Sequence, residues 1–363
     1  MSLRHLVDFN DMTVDEWNEI YLLAESIKNN PAKYADMCKG KILATLFYEP
    51  STRTMLSFQA AMLRLGGSII GFDNPGSSSV SKGENLKDTI TIVSSYADII
   101  AMRNPHEGAA LAASLFSPVP LINAGDGGHF HPTQTLADLF TIRSEKGSVT
   151  GHTIGLCGDL KHGRTVHSLL RALSLMGKNT YYLISTLTLS LPQYIIDILQ
   201  ANGSEIHEVH SLEECMDKLD ILYMTRIQKE RFASEEQYKE QSGRYILDNE
   251  KLIPAKKDLI IMHPLPRVDE IKEEVDYDNR AFYFRQAANG VFVRMALILK
   301  MLEARENQPK YLDISLNAEA PRIQCCPNPA CITKTEKYLP LLTYDLPGPR
   351  GGEACKYCDF RIK

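Results

Sequence analysis

Short apolar runs alternate with amphipathic helical patterns from Lys41 to about Arg305. Runs at 42–48, 68–72, 97–102 and 120–124 form one group, and runs at 153–157, 180–185, 221–225 and 259–263 form a second. Each is five to seven residues long, the length of a strand buried on both faces, and helical spacing fills the intervals between them. The pattern therefore predicts an α/β protein with two doubly wound parallel-sheet domains covered and joined by helices. Eight strands suit two sheets of about four. Between the groups, 132–143 places Leu136, Leu139, Phe140 and Ile142 on a joining helix. A last helix, 290–303, is apolar around most of its circumference, with Val291, Val293, Met295, Ile298 and Leu302 among its residues. It is expected to be buried by crossing back onto the first domain. From 306 to 320 the periodicity fades into a polar linker, beyond which stand Cys326, Cys331, Cys355 and Cys358.

At 363 residues the chain exceeds one typical core, which supports two domains with an appendage. No stretch approaches the roughly 18 apolar residues that span a bilayer, and residues 1–10 lack the apolar core of a secretory signal. A cytoplasmic location with reduced thiols is the expectation. The formal net charge of -5 argues against wholesale binding to nucleic acid or an anionic membrane, so any anion site must be a local basic cluster.

Such a cluster is expected where open parallel sheets bind ligands, beyond the carboxyl ends of the strands. The first run leads into Glu49-Pro50-Ser51-Thr52-Arg53-Thr54, at the start of a helix for which Ser51 is a good N-cap. Free N–H groups, hydroxyls and a guanidinium there make a receptor for a phosphate. Arg103, Arg164, Arg226 and Arg267 follow other strands in the same manner. Five like charges gathered at one kind of edge cost energy unless an anion resolves them. His131 opens the joining helix, where a donated hydrogen bond can polarise a carbonyl. Ser79 to Lys82 lies in a polar, glycine-flanked loop. Gly158 and Gly163 resemble a dinucleotide turn but lack the required spacing, and a tight turn explains them without a cofactor. With no nucleophile triad evident, the set suits transfer between a phosphate-bearing and a carboxylate-bearing small molecule by positioning and charge stabilisation.

Phe47-Tyr-Glu-Pro-Ser-Thr-Arg-Thr54, Arg103-Asn-Pro105, His131-Pro-Thr-Gln-Thr135, Gly158-Asp-Leu-Lys-His-Gly-Arg-Thr165, Met224-Thr-Arg-Ile-Gln-Lys-Glu-Arg231 and His263-Pro-Leu-Pro-Arg267 resemble, in order, the signature segments of aspartate carbamoyltransferase catalytic chains. Ornithine carbamoyltransferases share the first segment, but the last two resemble the aspartate enzymes. The resemblance implies transfer of the carbamoyl group of carbamoyl phosphate to the α-amine of L-aspartate, in de novo pyrimidine (UMP) biosynthesis, with no covalent enzyme intermediate and no organic cofactor. It implies that Ser51, Thr52, Arg53 and Thr54 hold the phosphate. Arg103, His131 and Thr54 bind the carbonyl oxygen, and Gln134 holds the carbamoyl nitrogen. Arg164, Arg226 and Gln228 grip the aspartate carboxylates, while Leu265 and Pro266 orient the amine and carbamoyl groups. Ser79 and Lys82 enter from a neighbouring chain, so the smallest active unit is similar to a trimer. Nothing in the chain specifies a partner dihydroorotase.

The expected organisation is then a carbamoyl-phosphate-binding domain at 1–132, completed by a helix at 289–305, and an aspartate-binding domain at 133–288. A linker at 306–322 leads to a zinc-binding module at 323–363. In that module Cys326-x4-Cys331 and Cys355-x2-Cys358 present two thiolate pairs suited to one tetrahedral zinc ion, with Cys325 an alternative first ligand. The spelling Cys326-Pro-Asn-Pro-Ala-Cys331 resembles the zinc domain of the regulatory chain of bacterial aspartate carbamoyltransferase, where it is structural. A small zinc-ribbon-like β module that packs on a catalytic chain is the expectation.

Overall fold

The computed structural model describes residues 5–77, 79–227, 234–236, 243–306, 325–346 and 352–362. The chain forms two compact units, Met1–Thr133 with Val291–Lys363, and Gln134–Gly290.

The first unit contains a sheet of β1 (Ile42–Phe47), β2 (Ser68–Phe72), β3 (Ile99–Asn104) and β4 (Leu121–Asp126), in the order β2-β1-β3-β4 and parallel throughout. The two central strands and β4 are buried almost end to end, as their largely apolar runs require. Helices α1 (Val14–Asn29), α2 (Thr52–Arg64), α3 (Leu86–Val93) and α4 (Ala109–Ser114) belong to this unit. Thr13 and Glu16 start α1 with a reciprocal capping box. Four buried alanines in α4 give it a slim face.

After α5 (Pro132–Lys146), the second unit builds a five-stranded parallel sheet from β5 (Thr153–Cys157), β6 (Thr180–Ile184), β7 (Glu205–Val209), β8 (Ile221–Met224) and β9 (Ile260–Met262). Its order is β7-β6-β5-β8-β9, with helices α6 (Arg164–Met176) and α7 (Gln193–Ala201). The edge strand β7 has no counterpart among the expected strands. It reads Glu-Ile-His-Glu-Val and is at most half-buried, so pairing with β6 defines it rather than an apolar run.

The last long helix, α8 (Tyr283–Glu306), starts well before the expected 290. Gln286, Asn289 and Gly290 interrupt its apolar pattern, but buried Gln286 is fixed by bonds to Asp138 and to the backbone of His263. Its C-terminal half lies in the first unit, where Lys300 pairs with Glu19 at 2.9 Å and Arg305 with Asp98 at 3.1 Å. Most of the expected linker at 306–322 lies outside the described residues.

The C-terminal module carries a short antiparallel pair, β10 (Thr343–Asp345) and β11 (Glu353–Cys355). It packs on its own chain: Cys326, Cys331, Ile332, Leu339 and Tyr357 share one apolar cluster with Leu86, Ile90 and the alanines of α4. Among the described residues no helix is long and apolar enough to cross a membrane.

Candidate active site and metal centre

In the first sheet the chain leaves β1 for β2 on one side and returns for β3 on the other. The carboxyl ends of β1 and β3 therefore flank a topological switch point, where ligands of such sheets bind. Register pairs Phe47 with Arg103, and the Tyr48 N–H donates to the Arg103 carbonyl at 2.8 Å. Three residues after Tyr48, Ser51 takes the N-cap position of α2, but its side chain makes no capping bond, contrary to expectation. The first turn, with Thr52, Arg53 and Thr54, thus presents its N–H groups without a side-chain lid of its own. Arg53 is exposed.

The Arg103 side chain is buried. Its Nη1 donates to the Ala124 carbonyl at 3.3 Å and its Nη2 lies 2.7 Å from Glu49 Oε1. Burial pulls its pKa down, while the Glu49 carboxylate favours the charge. Gly125 has a φ of 124°, and a Cβ there would stand 2.8 Å from Arg103 Nη1 and 3.6 Å from His131 Cδ2. This bare backbone lets Arg103 and His131 approach one point. His131, 5% exposed, lies immediately before α5. Ser79 and Lys82 lie on a 3-10 turn, with the Lys82 side chain exposed.

The second unit repeats the device between β5 and β8. Gly158, φ 119°, follows β5, and a Cβ there would lie 2.4 Å from the Thr225 carbonyl beyond β8. The two strand ends are thus pressed together, placing half-buried Arg164 at the head of α6 and half-buried Arg226 just past Thr225. A Cβ at Gly163 would meet the Asp159 carbonyl at 2.5 Å, so packing accounts for these glycines, as expected.

Leu265 adopts a φ of 56°, in the left-handed region that bulky residues avoid, ahead of a cis bond to Pro266. Its N–H donates to His263 Nδ1 at 2.7 Å, and His263 Nε2 lies 2.7 Å from Glu270 Oε1, which sets the ring tautomer. The Gln134 amide nitrogen donates to buried Asp138 at 2.7 Å, which turns Oε1 away from that carboxylate as an acceptor. Tyr223 and Gln286 also donate to Asp138, at 2.8 and 2.6 Å. Arg267 departs from the expected basic set: Asp276 takes its guanidinium on two bonds and Tyr283 accepts a third. Gln228 lies outside the described residues.

Three supporting acids were not anticipated. Glu49 is readable as an ordinary helix-start acid, although its place beside Ser51 was a usable signal. Asp126 and Asp138 are single acids inside apolar stretches, and only their bonds reveal their roles. Asp126 accepts from the N–H groups of Gly108 and Phe130, both at 2.9 Å, and from Asn123 at 3.1 Å.

In the module the sulfurs of Cys326, Cys331, Cys355 and Cys358 all lie within 4.8 Å of one another. Sγ–Sγ distances of 3.6 Å for Cys326–Cys358 and 3.9 Å for Cys331–Cys355 are far beyond the roughly 2.0 Å of a disulfide. They match the roughly 3.8 Å edge of a tetrahedron with metal–sulfur bonds of about 2.3 Å. Hydrogen bonds from the Cys355 and Cys358 thiols, then Thr333, favour the Cys331 thiolate, the form that ligates. The four cysteines therefore fit a metal ion. Cys325 is exposed and outside this set, which resolves the choice left open by spacing.

Comparison with known proteins covers both units. Residues 4–144 match the family model described as aspartate/ornithine carbamoyltransferase, carbamoyl-P binding domain, and 150–301 match its Asp/Orn binding domain. Neither match reaches the cysteine module. The chain is 59% identical over 300 residues to an aspartate carbamoyltransferase catalytic subunit of Clostridium perfringens, covering 82% of this chain and 98% of the relative. A Clostridium botulinum catalytic subunit is 60% identical over 300 residues, with the same coverage. The catalytic subunit of M. jannaschii aspartate transcarbamoylase superposes with a TM-score of 0.79 at 49% identity, covering 84% of this chain and all of that one. With a family model on each unit and relatives matched over nearly their whole length, the chain belongs to the aspartate/ornithine carbamoyltransferase family and, within it, to the aspartate carbamoyltransferases.

Proposed function

We propose that this chain transfers the carbamoyl group of carbamoyl phosphate to L-aspartate, giving N-carbamoyl-L-aspartate and phosphate, in de novo pyrimidine biosynthesis. The observation that carries the reading is the convergence of Arg103 and His131 on Gly125, beside the switch point that also presents the first turn of α2. In this reading Ser51, Thr52, Arg53 and Thr54 bind the phosphate, with Ser79 and Lys82 supplied by a neighbouring chain of a trimer. Arg103, Thr54 and His131 hold the carbonyl oxygen, and Gln134 accepts from the carbamoyl nitrogen. Arg164, Arg226 and Gln228 bind the aspartate carboxylates, and Lys82 also contacts this substrate. The Leu265 carbonyl and Pro266 orient the two reacting groups. The corresponding domains are 1–132 with the helix at 289–305, then 133–288, with a linker at 306–322 before the zinc module at 323–363.

The aspartate amine attacks the carbonyl carbon, a C–N bond forms, and negative charge gathers on the oxygen that Arg103 and His131 face. Collapse breaks the C–O bond to phosphate, which leaves with the electron pair and accepts the amine proton. The residues contribute position and fixed charge, the kind of catalysis worth most in a water-poor site. Zinc is the metal we assign to the four thiolates, in a structural role that needs no open coordination position.

The test is product formation from carbamoyl phosphate with L-aspartate or L-ornithine, together with zinc content and oligomer size. Aspartate-dependent N-carbamoyl-L-aspartate from a trimer or a multiple of one is expected. Ornithine-dependent product alone would replace the acceptor, and no product with either would overturn the assignment.

A further inference from the structure

Three segments of the first unit stand next to residues assigned to carbamoyl phosphate, and each is tied to the cysteine module. The first follows Lys82. At the start of α3 the Leu86 N–H donates to Glu336 Oε1 at 3.1 Å and the Lys87 N–H to the Tyr338 hydroxyl at 2.9 Å. The module thereby caps a helix whose own N-cap, Asn85, satisfies only the Asp88 N–H.

The second segment follows Arg103. The Glu107 N–H donates to the Ala330 carbonyl and the Ile332 N–H donates to the Glu107 carbonyl, both at 2.9 Å, so Glu107 pairs like a strand residue with Cys331. Asn328 adds a side-chain bond to the Glu107 carboxylate at 2.7 Å. At the adjacent Gly108, φ 82°, a Cβ would lie 2.4 Å from Tyr357 Cβ, so the two surfaces meet without a gap.

The third segment precedes His131. The His129 ring lies between two carboxylates, with Nδ1 3.3 Å from Asp126 and Nε2 3.3 Å from Asp359 of the module. Asp126 is the same acid that receives the Gly108 and Phe130 N–H groups, so second and third segments share one buried anchor. Burial opposes a charge on His129, but Asp126 and then Asp359 outweigh it and push the ring up to about 10.

We propose that the cysteine module is a positioning element for the carbamoyl phosphate site, holding the segments that carry Lys82, Arg103 and His131 in one geometry. The claim rests on the roles given to those residues above. A module that only added stability would need the apolar cluster with α3 and α4. Polar links aimed at all three segments have a further consequence: the spacing of the site is set from outside the sheet. Asp359 and His129 are positioning residues in this scheme, and neither is assigned to substrate or metal.

The test uses full-length protein with Asp359→Asn, His129→Asn and the double variant, since Asn tolerates the left-handed φ of 57° at Asp359. Metal content, oligomer size and melting are measured beside KM for carbamoyl phosphate, kcat, and backbone hydrogen exchange over 126–131. Each variant is expected to keep its metal and assembly, to raise that KM by about three- to tenfold, and to exchange faster over 126–131. The double variant should match the singles, the mark of one shared interaction. Unchanged KM and unchanged exchange in both single variants would overturn the proposal. A wild-type protein with no aspartate-dependent product would defeat the functional assignment instead, and the exchange comparison would then decide positioning by itself.

Discussion

Arg103 and Glu49 form an ion pair at 2.7 Å in which the arginine is 8% exposed. In the role proposed for it, a buried guanidinium needs an aim as well as a charge, and Glu49 supplies the aim. Glu49→Gln keeps the shape and removes the charge. It should lower kcat/KM for carbamoyl phosphate by roughly 10- to 100-fold, the range for a hydrogen bond to a charged group. Steady-state kinetics at saturating aspartate check this, and a rise in kcat/KM would show that Glu49 competes with substrate for Arg103.

Gly125 permits the approach of Arg103 and His131. Gly125→Ala would bring a methyl group to 2.8 Å from Arg103 Nη1 at a φ of 124°. The variant should fold with a cost of about 1–2 kcal/mol and lose about 10²-fold or more in kcat, as when an oxyanion donor is displaced. Melting and single-turnover assays on the same sample separate the two effects.

Glu270 links acid stability to the loop that carries Leu265. Burial alone would raise its carboxyl, but the hydrogen bond to His263 outweighs this and holds it below the usual carboxylate range. A depressed folded-state pKa means that the pair stabilises fully above about pH 4.5. That share is lost as pH falls through the lowered value. Glu270→Gln should cost about 1–3 kcal/mol at pH 7 and flatten the acid limb of stability, read from urea midpoints between pH 7 and 3.5.

Removing the metal, or deleting 306–363, uncovers apolar surface on α3 and α4 that Ile332, Leu339 and Tyr357 otherwise cover. Chelator treatment of the full chain should lower the melting temperature by several degrees or more, because a structural metal is bound only by folded ligands. Zinc restores it. A deleted chain with unchanged melting and oligomer size would show that the module lends the assembly nothing.

Much of the fold was legible because buried parallel strands are written as largely apolar runs, with charged residues at or just beyond their ends. Arg103 at the end of β3 and Arg226 after β8 were found in this way. The edge strand β7 was not, since a half-exposed strand of Glu, Ile, His, Glu and Val carries no such run. Arg267 looked like its neighbours in sequence, and only Asp276, folded back onto it, distinguishes it. Contacts such as Glu107 with Asn328 and Leu86 with Glu336 join residues more than 200 positions apart, and no local pattern encodes them. Spacing alone could not choose between Cys325 and Cys326, whereas burial does.

The docking of the cysteine module on its own chain changes how the protein responds to dilution. A separate subunit leaves its partner as concentration falls, to an extent set by mass action. A tethered one cannot diffuse away, and its local concentration is fixed by the chain that links it. Every copy translated therefore carries its own brace in a ratio of one to one, however scarce the protein becomes in the cell.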